Sequence, residues 1–147
     1  MIGVAIGGSL LYGASLSRAL GSDALGSALW LTICAGLGWA ALIPALILAS
    51  KLSMAAILRD CLVSICFGEA VLALGAIGNF SQLWTGVLAN SLVVLCSNVT
   101  MGAVLAGLLR QRGFSAWKTV AIWVVVLDGV GALAFWLLSF LLQGVSR

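Results

Sequence analysis

Two carboxylic acids, Glu69 and Asp128, stand deep inside apolar sequence. Each lies near the middle of a run long enough to cross a bilayer, where an ionised acid costs about 2.5–3.5 kcal/mol on insertion scales. No Lys or Arg occupies mid-run to offset either charge. Desolvation therefore favours the neutral acid, which can donate a hydrogen bond as well as accept one. Such a pair can serve a proton or cation path, or a small polar cavity, with Asn90 and Asn98 as lining. Alternatively, each acid is tied to asparagines and backbone carbonyls and fixes helix packing. Positions 90, 94, 97, 98 and 101 recur at helical spacing, so Asn90, Ser97 and Asn98 are expected to line one seam. With no histidine relay, no basic partner at depth and no evident transporter-type repeat, the structural use is preferred.

Other chemistry finds little to stand on. Without histidine there is no His-ligated haem, no His-containing zinc site and no His-based triad. The cysteines Cys34, Cys61, Cys66 and Cys96 form no CxxC, and in apolar runs a free thiol acts as a small hydrophobe. Asp128-Gly129-Val130-Gly131-Ala132 begins like part of a CDP-alcohol phosphotransferase motif, but the further metal-binding aspartates are missing. Gly36-Leu37-Gly38 has no strand before it, and neither GxSxG nor GxGD occurs. The expectation is a protein that is not an enzyme and holds no metal and no cofactor.

Composition names the solvent. Of 147 residues, 63% are hydrophobic and 7% charged, with a mean hydropathy of +1.25. Four acids and seven bases cannot clothe a water-soluble globule of this size. An all-α bundle in lipid is expected, because the apolar runs show no period-two alternation for a barrel. Charges and polar clusters divide the chain into five spans, about 2–17, 29–50, 56–78, 83–109 and 117–142, within one domain. A signal peptide would carry Lys or Arg before its apolar run. None precedes the first run here, so it is expected to remain as a span.

Loop cations set the direction. Lys51, Arg59, Arg110, Arg112 and Lys118 fall at one end, Arg18 and Arg147 at the other. This places the N-terminus in the cytoplasm and the C-terminus outside, in a multi-pass protein of a bacterial cytoplasmic membrane. The net charge of +3 reads as orientation, with no nucleic-acid partner. Trp30, Trp84 and Trp117 open spans at the interfaces, while Trp39 and Trp123 lie deeper and are expected to pack. Small residues four apart give smooth helix faces: Gly3 with Gly7, Gly36 with Ala40, Gly102 with Ala106, and Ala103 with Gly107. Pro44 removes one donor in the second span, where a kink eased by Thr32 or a nearby serine is expected.

The order of spans, with Tyr12-Gly13 after the first run, Pro44 before the Lys51 turn, and Asn90, Gly102 and Arg110 along the fourth, resembles the five-span Yip (Ypt-interacting protein) superfamily and its bacterial relatives. The resemblance implies five helices with the N-terminus inside and, in eukaryotic members, binding of small GTPases. The sequence departs from the pattern in having no proline near Ala76 and no cytoplasmic tail before the first run. The expected function is that of an accessory or scaffold subunit binding the lipid bilayer and other integral membrane proteins. The competing reading is a small proton- or cation-coupled permease using Glu69 and Asp128. Lipid, quinone or pigment contacts would rest on Asn, carbonyls or apolar surface.

Overall fold

A computed structural model describes residues 2–20, 24–83, 86–134 and 136–137, with side-chain surroundings for 7–16, 33, 36–83, 86–134 and 136–137. The fold is all-α. The helices are α1 (Ile2–Leu20), α2 (Ala24–Ser50), α3 (Met54–Phe80), α4 (Val87–Gln111) and α5, which opens as Ala116–Ile122. Helix α5 passes through a π-helical stretch, Trp123–Asp128, and runs on to Ala134. Among the described residues, three helices are long and apolar enough to cross a membrane: Met54–Phe80, Val87–Gln111 and Ala116–Ala134. At 1.5 Å per residue the 27 residues of α3 reach about 40 Å, more than a hydrocarbon core of about 30 Å requires. Helix α2 contributes the shorter apolar stretch Gly36–Ser50.

Burial differs from that of a soluble bundle: large apolar side chains face outward and polar ones share the interior with the apolar core. Leu48 is 81% exposed and Val125 71%, whereas Ser15, Ser64, Asn79, Asn90, Ser97 and Thr119 are buried. Lipid is as good a solvent for leucine as another helix, so apolar side chains gain little by turning inward, while polar groups have partners only inside.

Local chemistry sets the ends. Ser53 caps α3, its hydroxyl accepting from the Ala56 N–H. The helix stops in a Schellman turn: Gln82 takes φ 57, and Leu83 N–H donates to the Gly78 carbonyl at 3.0 Å. The chain re-enters helix after Gly86, at φ 110. The fourth helix starts at Val87 rather than near 83, since Gln82 and Leu83 belong to the turn that closes α3. A second Schellman turn closes α4, with Gly113 at φ 83 and Phe114 N–H on the Leu109 carbonyl at 3.0 Å. Pro44 sits on the exposed face of α2, which stays helical to Ser50; Thr32, proposed as its helper, lies outside the described side chains.

Helices α3 and α4 form an antiparallel hairpin, with α1 along one side of α3, and α2 and α5 completing the bundle. Gly8 meets α3 at Glu69, while Tyr12 meets Gly75 and Ser15 meets Asn79, so α1 and α3 run parallel. One end of the bundle is packed by Leu42, Leu46, Ile57, Cys61, Leu105, Leu109, Trp123 and Leu127. Around Tyr12, Ala76 and Val93, at the other end, polar contacts dominate.

The smooth faces are only partly where the spacing puts them. Gly102 and Ala106 are buried, with Gly102 under the Trp123 ring. A Cβ at Gly7, Gly36 or Gly107 meets nothing within 4 Å, and Ala40 and Ala103 are exposed. Close approaches fall instead on Gly8, against the Glu69 backbone, and on Gly38, where a Cβ would lie 2.8 Å from the Leu127 carbonyl. A shift of one residue turns a helix face by about 100°, which spacing alone does not resolve. The surroundings of Gly3 lie outside the described side chains. Gly8→Ala is expected to lower unfolding stability in detergent by about 1–3 kcal/mol, as overpacking does. Gly7→Ala and Gly107→Ala should stay near neutral in the same thermal melts.

Candidate functional site

Glu69 points from α3 into α1. It is 8% exposed, and both carboxyl oxygens are used by one residue. Ser9 N–H donates to Oε2 at 2.6 Å, and the Ser9 hydroxyl lies 2.5 Å from Oε1. The contact needs Gly8: its missing side chain lets the α1 backbone come down onto the Glu69 carbonyl. Glu69 is thus a clamp between two helix backbones.

One turn to two turns further along, three helices share a polar network. Tyr12 Oη lies 2.8 Å from Asn90 Oδ1 and 2.9 Å from the Asn90 carbonyl. Asn79 Nδ2 donates to Ser15 Oγ at 3.0 Å and to Asn90 Oδ1 at 2.8 Å. Ser15 Oγ donates to the Tyr12 carbonyl, and Asn90 Nδ2 to the Gly86 carbonyl. These partners fix the orientation of both amides and leave Asn79 Oδ1 buried without a partner among the described residues. Below the network, two serines staple α3 to α4 reciprocally. Ser97 Oγ donates to the Gly68 carbonyl at 3.0 Å, and Ser64 Oγ to the Met101 carbonyl.

Asp128 belongs to a different contact. Its Oδ1 accepts from Asn98 Nδ2 at 2.9 Å, and Asn98 Oδ1 accepts from Trp123 Nε1 at 2.9 Å. Indole N–H can only donate, so the Asn98 amide has one possible orientation. In an α-helix, residues five apart point about 140° away from each other. The wider turn of the π-stretch Trp123–Asp128 brings both onto one amide. Three consecutive valines, 124–126, fill it with β-branched side chains that an α-helix favours least among the aliphatics. Trp39 meets Trp123 edge to face, with centroids 5.2 Å apart, so both deep tryptophans pack as expected.

The four intramembrane residues therefore divide among three contacts. Glu69 is held by α1, Asn90 joins the Tyr12–Asn79 network, and Asn98 and Asp128 form the α4–α5 contact. The single seam is replaced by two faces, because Asn90 and Ser97 are two turns apart and in line, whereas Asn98 is one residue further round and turns to α5. Asn79, which reads in the sequence as part of a polar span end, is a core residue at 2% exposure. Ser9 and Ser15 carry no sequence signal as partners. The hairpin does offer one for Asn79, since Asn79 and Asn90 are almost equidistant from the turn.

The basic end holds one further pairing. Asp60, 1% exposed, receives Arg112 Nε at 2.5 Å and Nη2 at 3.0 Å. Arg59 Nε stands 3.5 Å away and is open to solvent. Hydrogen bonds to Asp60 raise the Arg112 guanidinium above its ordinary pKa. By linkage, that contribution persists below the usual arginine range and is lost only in stronger base. Arg112 is thus a tie between α3 and the end of α4, not a free loop cation; Lys51, Arg59, Arg110 and Lys118 remain exposed. Trp117 is exposed beside Lys118, as an interfacial residue would be. Trp30 and Cys34 lie outside the described side chains, Trp84 and Arg147 outside the described residues; Cys61, Cys66 and Cys96 are all free thiols, and of these Cys61 is buried.

Comparison with known protein families, curated proteins and solved structures finds no match for this chain. Tyr12→Phe is expected to lower stability in detergent by about 0.5–1.5 kcal/mol, the range for one lost hydrogen bond. Asp60→Ala should lower the melting temperature more than Arg59→Ala, since only the former leaves Arg112 unpaired.

Proposed function

We propose that this chain is a non-enzymatic, multi-pass membrane protein that serves as an accessory or assembly subunit for other membrane proteins. The observation that carries the reading is that Glu69 and Asp128 are engaged in separate helix contacts, Ser9 on α1 and Asn98 on α4. A conduction role would require one wetted path touching both. Their partners instead act as fasteners between helices, and the surface left over is apolar side chain. Such a surface does no chemistry on soluble substrates, but it meets lipid and neighbouring helices along its length.

In this reading all five helices cross the bilayer, with the N-terminus and the Lys51 and Arg110–Lys118 turns in the cytoplasm. Two features support it: the parallel course of α1 and α3, and the gathering of Lys51, Arg59, Arg110 and Lys118 at one end of the bundle. The resemblance to the Yip superfamily enters only through span number and orientation.

Purification in mild detergent is expected to return the chain in a larger particle; a strictly monomeric particle with no lasting partner would refute the assembly role. In liposomes, proton and monovalent-cation flux should stay at background for the wild type, Glu69→Gln and Asp128→Asn alike. A flux present in the wild type and abolished by either substitution would establish the permease reading instead.

A further inference from the structure

Helix α5 combines two properties that conflict in lipid. It is the least covered of the three spans, with 17% of its apolar window buried against 39% and 33% for α3 and α4. Yet it carries Asp128, held level with Asn98, the twelfth of the 25 residues of α4 and so at mid-span. Asn98 occupies Oδ1; Oδ2 has no hydrogen-bond partner among the described residues, and the side chain is partly exposed. Beside it, Gly129 opens onto free space, where an added Cβ would meet nothing within 4 Å. Ala121, Val125, Gly129 and Ala132 continue an exposed stripe at helical spacing along the same helix. A half-used carboxyl at mid-membrane is costly unless something polar covers it.

We propose that Asp128 is the docking point for a Lys or Arg at mid-depth in a transmembrane helix of a partner protein, laid along α5 and brought close at Gly129. This rests on the assembly reading above and supplies its site. Charge complementarity selects the occupant. Among the described residues a second copy of this chain offers no cation at that depth, because Arg18, Lys51, Arg59, Arg110, Arg112 and Lys118 all stand at or near helix ends. A partner ammonium or guanidinium would donate to Oδ2, while the bond from Asn98 keeps the carboxyl aimed. The π-stretch sets that aim, since it turns Trp123 and Asp128 together onto Asn98.

The probe is a synthetic single-span polyleucine peptide with one central lysine, compared with the all-leucine peptide. Both are mixed with the labelled full-length protein in phosphatidylcholine bicelles, and association is read by energy transfer. The lysine peptide is expected to associate roughly tenfold more tightly than the all-leucine peptide, in line with polar contacts between spans. Asp128→Asn should remove the difference. Gly129→Leu, which leaves the Asn98 bond intact, should weaken binding by blocking approach. Equal association of the two peptides, or a preference unchanged in Asp128→Asn, overturns the proposal. So does self-association of the wild type that Asp128→Asn abolishes, which would name a second copy as the occupant. If native copurification of the larger particle survives Asp128→Asn, this site fails while the assembly reading stands.

Discussion

A polar group inside a lipid-facing bundle has no water to fall back on, and the fold is organised around that constraint. Ser9 with Glu69, Tyr12 with Asn90, Asn79 with Ser15, Ser97 with Gly68, Ser64 with Met101 and Asn98 with Asp128 each join two helices. Individually these bonds contribute little, on the order of 1 kcal/mol in membranes. Their value lies in direction. Apolar packing among similar side chains leaves a helix free to rotate or slide, whereas a hydrogen bond fixes both register and face.

The two ends of the bundle solve the packing problem differently. Toward the Lys51 and Arg110 turns, four helices interlock leucines around Ile57, Cys61 and Trp123, and buried Asp60, paired with the partly exposed Arg112, ties the surface there. Toward the other end, α1 is held on α3 and α4 by a carboxylate, a phenol, two amides and hydroxyls. Helix α1 is therefore attached by specificity and α2 by bulk. Gly8 and Gly75 permit the close approach that polar bonds of ordinary length demand.

Asp128 differs from Glu69 in what it leaves unused. Glu69 spends both oxygens on Ser9 and is enclosed by the α1 backbone. Asp128 spends one on Asn98 from the least covered of the three long apolar helices. Two acids that look equivalent in the sequence are thus one internal fastener and one group with capacity for an outside partner. The π-helical turn next to Asp128 accounts for the difference in aim.

The sequence by itself determined the solvent, the helical class and the residues that matter. Hydropathy and charge spacing suffice for these, because the cost of a polar group in lipid depends on residue type and depth and very little on neighbours. It singled out Glu69, Asp128, Asn90 and Asn98, and it read Trp39 and Trp123 as packing residues. Only the tertiary structure decided which face each one serves. Ser9, Ser15 and Asn79 as partners, the burial of Asp60 against Arg112, and the choice of Gly8 and Gly38 over Gly7 and Gly36 all depend on helix rotation. Rotation is fixed by the joint fit of several helices, and a one-residue difference moves a side chain by about 100°, from one neighbour to the next.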